Sequence, residues 1–198
     1  VFDLVDFRTL TPKQRLNYVT GRWVLTVKRR GDGTFEKCKA RWVLRGFQDK
    51  QKHQQQKDSP AASRPGFRMA CQLAANEKWD LTHMDIKTAF LQGETYDDNR
   101  NLIVQLPPEA GHPWYMVARM KKPACGLVEA PRRWFNVLDE KLRSYDLVPT
   151  RADRCTFVLY SKDPPKTKNS QSTVKNKVSM EFIDKIFDPI SGNNSGGR

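Results

Sequence analysis

The chain has 198 residues, of which 38% are apolar and 29% charged, and its 35 Lys and Arg against 22 Asp and Glu give a formal charge of +13. That composition excludes wholesale disorder and allows one ordinary core, while a pI near 9.8 points to a polyanionic partner, nucleic acid before others. No run of about 18 apolar residues is present, so no membrane partner is expected, and the start Val1-Phe2-Asp3-Leu4-Val5-Asp6 lacks the marks of a secretory signal, which reads as an intracellular chain, cytoplasmic or nuclear.

Residues 1–21 form a leading segment in which Thr11-Pro12 offers an N-cap and first-turn proline to a short helix through Tyr18. From Arg22 the pattern turns to alternation: Trp23, Leu25 and Val27 interleave with Val24, Thr26 and Lys28, Arg30-Gly31-Asp32-Gly33 turns, and Phe35 to Leu44 returns. A β-hairpin is predicted. Between Arg22 and Lys57 there are 11 basic and 3 acidic residues, a local charge of +8. Lys39 and Arg41 lie two apart on a strand and share a face, a spacing that can clamp a triphosphate. A solvated surface is the commoner fate of such a pair, and Lys28 on the partner strand is a weaker candidate for the same role.

Residues 51–57 read as a polar loop, after which Ser59-Pro60 and Ser63-Arg64-Pro65 prepare a helix start. Phe67, Ala70, Cys71, Leu73 and Ala74 then give an apolar helical face up to Glu77. A strand from Asp80 to Asp85, a short helix from Lys87 to Gln92 stopped by Gly93, and strands at Asn101–Leu106 and Trp114–Met120 are expected. A longer helix over Pro131–Tyr145 should bury Trp134, Leu138, Leu142 and Tyr145, and a last strand spans Thr156–Tyr160. Residues 22–160 thus form the folded body, and 161–198, rich in Lys, Asn, Ser and Pro, a flexible polar tail or insertion. Cys38, Cys71, Cys125 and Cys155 are scattered and His53, His83 and His112 isolated, a pattern against both zinc and a disulfide framework.

The string with most chemistry is His83-Met84-Asp85-Ile86-Lys87-Thr88-Ala89-Phe90-Leu91-Gln92-Gly93, which places a carboxylate at the end of an apolar strand. Such an acid can hold Mg²⁺ against a substrate's phosphates, because the ion takes oxygen ligands. An N-cap for the short helix that follows is the commoner role of such an acid, and Phe90 can equally be core.

Asp85 to Gly93 resembles the first polymerase motif of the copia-type retrotransposon reverse transcriptases almost residue for residue. Arg22-Trp23-Val24, Lys39-Ala40-Arg41, Arg45-Gly46-Phe47, Ser59-Pro60-Ala61, Gly126-Leu127, Ala130-Pro131-Arg132, Trp134-Phe135 and Asp153-Arg154-Cys155 match further family segments in the right order. The resemblance implies an α+β fold, the fingers and partial palm of a right-hand polymerase, with an antiparallel sheet and packed helices. It implies a nucleotidyltransferase acting on an RNA template and DNA primer with deoxynucleoside triphosphates and Mg²⁺, within a Pol polyprotein. Asp85 would be the first metal-binding aspartate, with the Ile86 carbonyl beside it. Phe90 would exclude a ribose 2′-OH, Lys39, Arg41 and Lys28 would meet the nucleotide, and Arg45, Arg132 and Glu129 would lie on the nucleic-acid side.

Two departures stand out. Where the family reads Tyr-Gly-Leu-Lys-Gln-Ala-Pro-Arg, this chain has Cys125-Gly126-Leu127-Val128-Glu129-Ala130-Pro131-Arg132, so a neutral template-side amide is expected to become a carboxylate. The paired-aspartate motif is also missing; Tyr96-Asp97-Asp98 comes too soon after Asp85 and reads as a solvated turn. A fragment inactive by itself is the expectation, with a non-catalytic nucleic-acid-binding protein or a transposon relic as the alternative.

Overall fold

The computed structural model describes residues 1–160. In chain order the elements are β1 (Phe2–Asp6), α1 (Pro12–Arg15), β2 (Tyr18–Val19), β3 (Gly21–Arg29), β4 (Phe35–Leu44), α2 (Arg64–Asn76), β5 (Ile103–Gln105), β6 (Met116–Met120), α3 (Ala130–Arg143), β7 (Val148–Pro149) and β8 (Phe157–Val158). The chain divides into two compact units, one of residues 1–60 and 87–138, the other of 61–86 and 139 onward.

In the first unit, short strands gather into one sheet in the order β1-β6-β5-β2. β1 and β5 run antiparallel to β6 and β2 runs parallel to β5, so the sheet is mixed, not antiparallel as expected. The leading segment contributes both outer strands. Period-two alternation sends Leu102 and Val104 to one face with Val19, Leu44, Ala118, Met120, Leu127 and Ala130, and Ile103 to the other with Leu10 and Val117. Both faces are therefore covered. α1 starts where expected, because the Thr11 hydroxyl accepts from the Gln14 N–H while the Gln14 side chain accepts from the Thr11 N–H.

The predicted hairpin is β3 and β4, paired from Gly21↔Leu44 to Arg29↔Phe35 with an irregularity at Lys28/Arg29. Its turn closes through Gly33 N–H to Arg30 O at 2.9 Å and Asp32 Oδ1, which accepts from Thr34 N–H at 2.9 Å. At the base of β4, Leu44 N–H donates to Cys125 O at 2.9 Å, so two motif segments meet backbone to backbone. A Cβ on Gly46 would lie 2.1 Å from the Gly126 carbonyl oxygen, and one on Gly126, whose φ is +99°, would lie 2.0 Å from the Leu44 oxygen. Only glycine permits that approach.

In the second unit, α2 opens on Ser63, whose hydroxyl accepts from Gly66 N–H at 3.0 Å, with Pro65 in the first turn. It closes by Trp79 N–H to Ala74 O at 2.8 Å and Lys78 N–H to Ala75 O at 3.3 Å, a Schellman ending with Lys78 at φ 55°. Most of its predicted apolar face is not buried: Ala74 is, but Phe67, Ala70 and Leu73 are exposed. The face predicted for α3, a helix whose residues up to Leu138 belong to the first unit, is only half-buried, and the helix's buried residues are Ala130 and Phe135. β7 and β8 pair with each other, and Asp153 accepts from Ser63 N–H at 2.7 Å and Cys155 N–H at 2.8 Å.

The strand expected over Asp80–Asp85 does not form. Residues 79–86 are irregular, with Trp79, Leu81 and Met84 exposed. Alternation specifies a strand only where a neighbour supplies ladder hydrogen bonds, and the strands of this unit, two residues each, pair with each other. Among the described residues no helix is long and apolar enough to cross a membrane. The tail expectation for 161–198 lies outside the described residues.

Candidate functional site

Antiparallel register decides what the hairpin presents. Lys28 stands opposite Lys37, Thr26 opposite Lys39, Val24 opposite Arg41 and Arg22 opposite Val43, so Arg22, Lys28, Lys37, Lys39 and Arg41 share one face. Trp23, Leu25, Val27, Cys38, Ala40 and Trp42 share the other. There Trp23 meets Trp42 edge-on with centroids 5.4 Å apart and donates from Nε1 to Glu109 Oε2 at 2.9 Å. Like charges directly opposite, as at Lys28 and Lys37, are unfavourable in a bare hairpin, and an anion laid across them reverses the sign. The register thus places Lys28, Lys39 and Arg41 on one face of the hairpin. Arg45 follows at the strand's end, exposed and anchored by its own N–H to Thr20 O at 2.8 Å.

Phe90 lies in a single 3₁₀ turn, Ala89–Gln92, half-buried and packed against the buried core, as Trp42 and Leu106 also are. The turn is entered through Thr88 at φ 51°, ψ 36°, a left-handed conformation that a β-branched residue adopts only at a cost. Thr88 occupies the N-cap position, so Asp85 does not cap this turn. Asp85 belongs to the other unit, exposed in an irregular stretch with Ile86 half-buried beside it, and not at the end of a strand. Among the described residues no group of three or more His, Cys, Asp or Glu is placed to hold a metal. Asp97 and Asp98 are exposed on a turn closed by Arg100 N–H to Asp97 O at 2.9 Å, while Tyr96 beside them is buried.

Glu129 departs most from expectation. Its side chain is 1% exposed and its Oε1 lies 2.7 Å from Arg100 Nη2, while Tyr96 Oη donates to the same oxygen at 2.8 Å. One oxygen of this enclosed carboxylate is therefore met by Arg100 and Tyr96, while Oε2 is buried without a hydrogen-bond partner at the lining of the cavity that Arg132 shares. Arg100, 3% exposed, also pairs with Asp49, which accepts from Asn17 Nδ2 at 2.9 Å. Burial by itself would raise the Asp49 carboxyl, but Arg100 and Asn17 outweigh it and hold the group below its ordinary value. Burial and the Glu129 charge push the Tyr96 phenol up; burial works against the Arg100 charge, but its two carboxylates hold the proton more firmly still.

Arg132 is half-buried, its Nη1 donating to Asp58 O at 3.3 Å, and with Glu94, Arg133 and Asn136 it lines a cavity of about 150 Å³. Asp49, Arg100 and Asn17 were not foreseen as members of a site. Asp49 carries a signal in retrospect: of the three acids between Arg22 and Lys57, Asp32 and Glu36 belong to the hairpin's turn end and Asp49 does not.

Residues 1–165 match the family model described as Reverse transcriptase (RNA-dependent DNA polymerase). The chain belongs to the reverse transcriptase family. It is 30% identical over 139 residues to the retrovirus-related Pol polyprotein from transposon TNT 1-94 of Nicotiana tabacum, covering 69% of this chain and 10% of that protein. It is likewise 30% identical over 152 residues to the retrovirus-related Pol polyproteins from transposons RE1 and RE2 of Arabidopsis thaliana, covering 75% of this chain and 10% of each. The chain thus spans about a tenth of these relatives' length. No solved structure matches it. This reverse transcriptase domain is a mixed α/β chain with several small sheets, and the family model takes in β1 and β2 of the leading segment as well as the hairpin.

Proposed function

We propose that this chain is the fingers and first part of the palm of a copia-type retrotransposon reverse transcriptase, working within a longer Pol polyprotein. RNA-directed DNA synthesis from an RNA template, a DNA primer and deoxynucleoside triphosphates is the activity of the longer protein. By itself the chain binds nucleic acid without polymerising. The observation that carries this reading is the division of the β3–β4 hairpin into a basic and an apolar face, with Lys28, Lys39 and Arg41 aligned where a triphosphate or a phosphate backbone can lie across them.

Phe90, held against the core, is assigned the exclusion of a ribose 2′-OH, and Arg45 and Arg132 the nucleic-acid side. Asp85 and the Ile86 carbonyl are assigned to the magnesium site of the longer protein. Glu129 is assigned a positioning role, since its partners are Arg100 and Tyr96. The test is a salt titration of binding to short RNA and DNA strands. Affinity should fall linearly on a log–log plot, and reversing Lys39, Arg41 and Arg45 to Glu should weaken binding to every sequence and flatten the slope. Binding indifferent to salt, or unchanged in the triple variant, overturns the reading.

A further inference from the structure

Away from the hairpin's basic face, one edge of the first unit interleaves aromatic rings with guanidinium groups. Trp114 and Tyr115 form a tight turn before β6, closed by Met116 N–H to Pro113 O at 2.9 Å and tied to the end of β1 by Phe7 N–H to Tyr115 O at 2.8 Å. The Arg8 guanidinium lies 3.8 Å from the Tyr115 ring centroid, and Tyr115 meets Trp114 edge-on, centroids 5.7 Å apart and planes at 85°. Arg15 lies 5.2 Å from the Phe7 ring, which in turn meets Tyr18 edge-on, and Arg15 Nη2 donates to Arg8 O at 2.6 Å. Tyr115, Phe7 and Tyr18 are thus engaged, whereas Trp114 remains 83% exposed. The turn's two hydrogen bonds hold its backbone in place.

We propose that Trp114 is a stacking platform for an unpaired base of a single-stranded nucleic acid, with Arg15 and Lys13 supplying charge for the adjoining phosphates. The proposal rests on the reading that this chain binds nucleic acid and places a second contact on it, outside the hairpin. Charge selects the occupant. Along the segment that ties to this turn, Arg8, Lys13 and Arg15 against Asp6, which pairs with Arg8 at 2.6 Å, leave a surplus of two positive charges. A protein hot spot of the Trp type sits in an enclosed pocket ringed by other contacts. Here the most exposed aromatic side chain among the described residues, Trp114, stands on a turn tied to a basic segment, which suits a base with its phosphate. Indole–base stacking is sequence-tolerant, since every base has a π-face.

The test compares binding of the whole chain to a short single strand, as RNA and as DNA, with binding to a strand of equal length whose internal bases are removed. Trp114→Ala should weaken binding to the base-bearing strand by about 5- to 150-fold, the range that stacking of one base supplies. It should leave the abasic strand unchanged, and Trp114→Phe should restore most of the loss. Lys13→Gln with Arg15→Gln should weaken both strands and reduce the salt slope. Equal effects of Trp114→Ala on both strands, or no effect on either, overturn the platform; if the hairpin variants still weaken binding, the broader reading stands. A wild-type chain that binds neither strand overturns both.

Discussion

Arg100 carries more of this structure than any residue that composition singles out. It is the cation between two buried carboxylates, Asp49 and Glu129, and removing it leaves both charges without their partner in a medium that solvates them poorly. Arg100→Ala should cost about 3–5 kcal/mol, read as a loss in denaturant midpoint. Glu129→Gln should behave differently: the amide oxygen still accepts from Arg100 and Tyr96, and Arg100 keeps Asp49. A change within about 1 kcal/mol is expected, with the salt slope of nucleic-acid binding unaltered, because the carboxylate is enclosed. The pH profile follows from the same groups. Asp49 and Asp153 are both held below the ordinary carboxylate value of 3.8, so the stability they contribute is complete above that pH and is lost as pH falls through their lower folded values. Tyr96, raised above 10.0, contributes stability that fades as pH climbs beyond that point. Thermal melts should therefore hold level between these limits and fall below about pH 4, with Asp153→Asn shrinking the acid-side drop.

At the scale of elements, the hairpin and its foot account for the motif spacing. β4 ends on Leu44 against Cys125, and the turn after it brings Gly46 onto Gly126. Two motif segments about eighty residues apart are one backbone contact. Gly126→Ala meets both a left-handed φ and the Leu44 carbonyl, so it should destabilise by about 2 kcal/mol or more. Gly46→Ala should cost a similar amount, and the double variant less than the sum of the two, since both act on one contact; equilibrium unfolding of the three variants checks this. The exposed apolar residues of α2 and the incomplete pairing around Asp85 mark the opposite case, elements whose sequence pattern is clear but whose partners are not among the described residues.

For the whole molecule, the expectation concerns catalysis. Two-metal phosphoryl transfer needs several acidic oxygens converging on ions about 3.5–4 Å apart, and the described residues bring no such group together. Primer extension by the 198-residue chain should be undetectable, while extension by a longer protein that adds a paired-aspartate strand should be abolished by Asp85→Asn. Robust Mg²⁺-dependent extension by the 198 residues would refute this.

Local order was legible in the residues themselves. Thr11-Pro12 and Ser63-Arg64-Pro65 start helices because a capping oxygen and a proline act within four residues, and Trp23 to Val27 alternates because a strand's period is two. The basic face of the hairpin was equally readable, since register in a hairpin follows from its turn. What the tertiary structure decided lies in contacts between distant segments. Whether 80–85 becomes a strand depends on a neighbour to bond it. Whether β2 runs parallel to β5 depends on the path between them. Whether Glu129 is buried against an arginine depends on Arg100, twenty-nine residues earlier in the chain. A carboxylate looks the same in sequence in either setting; burial and its partner alone determine which charge it answers.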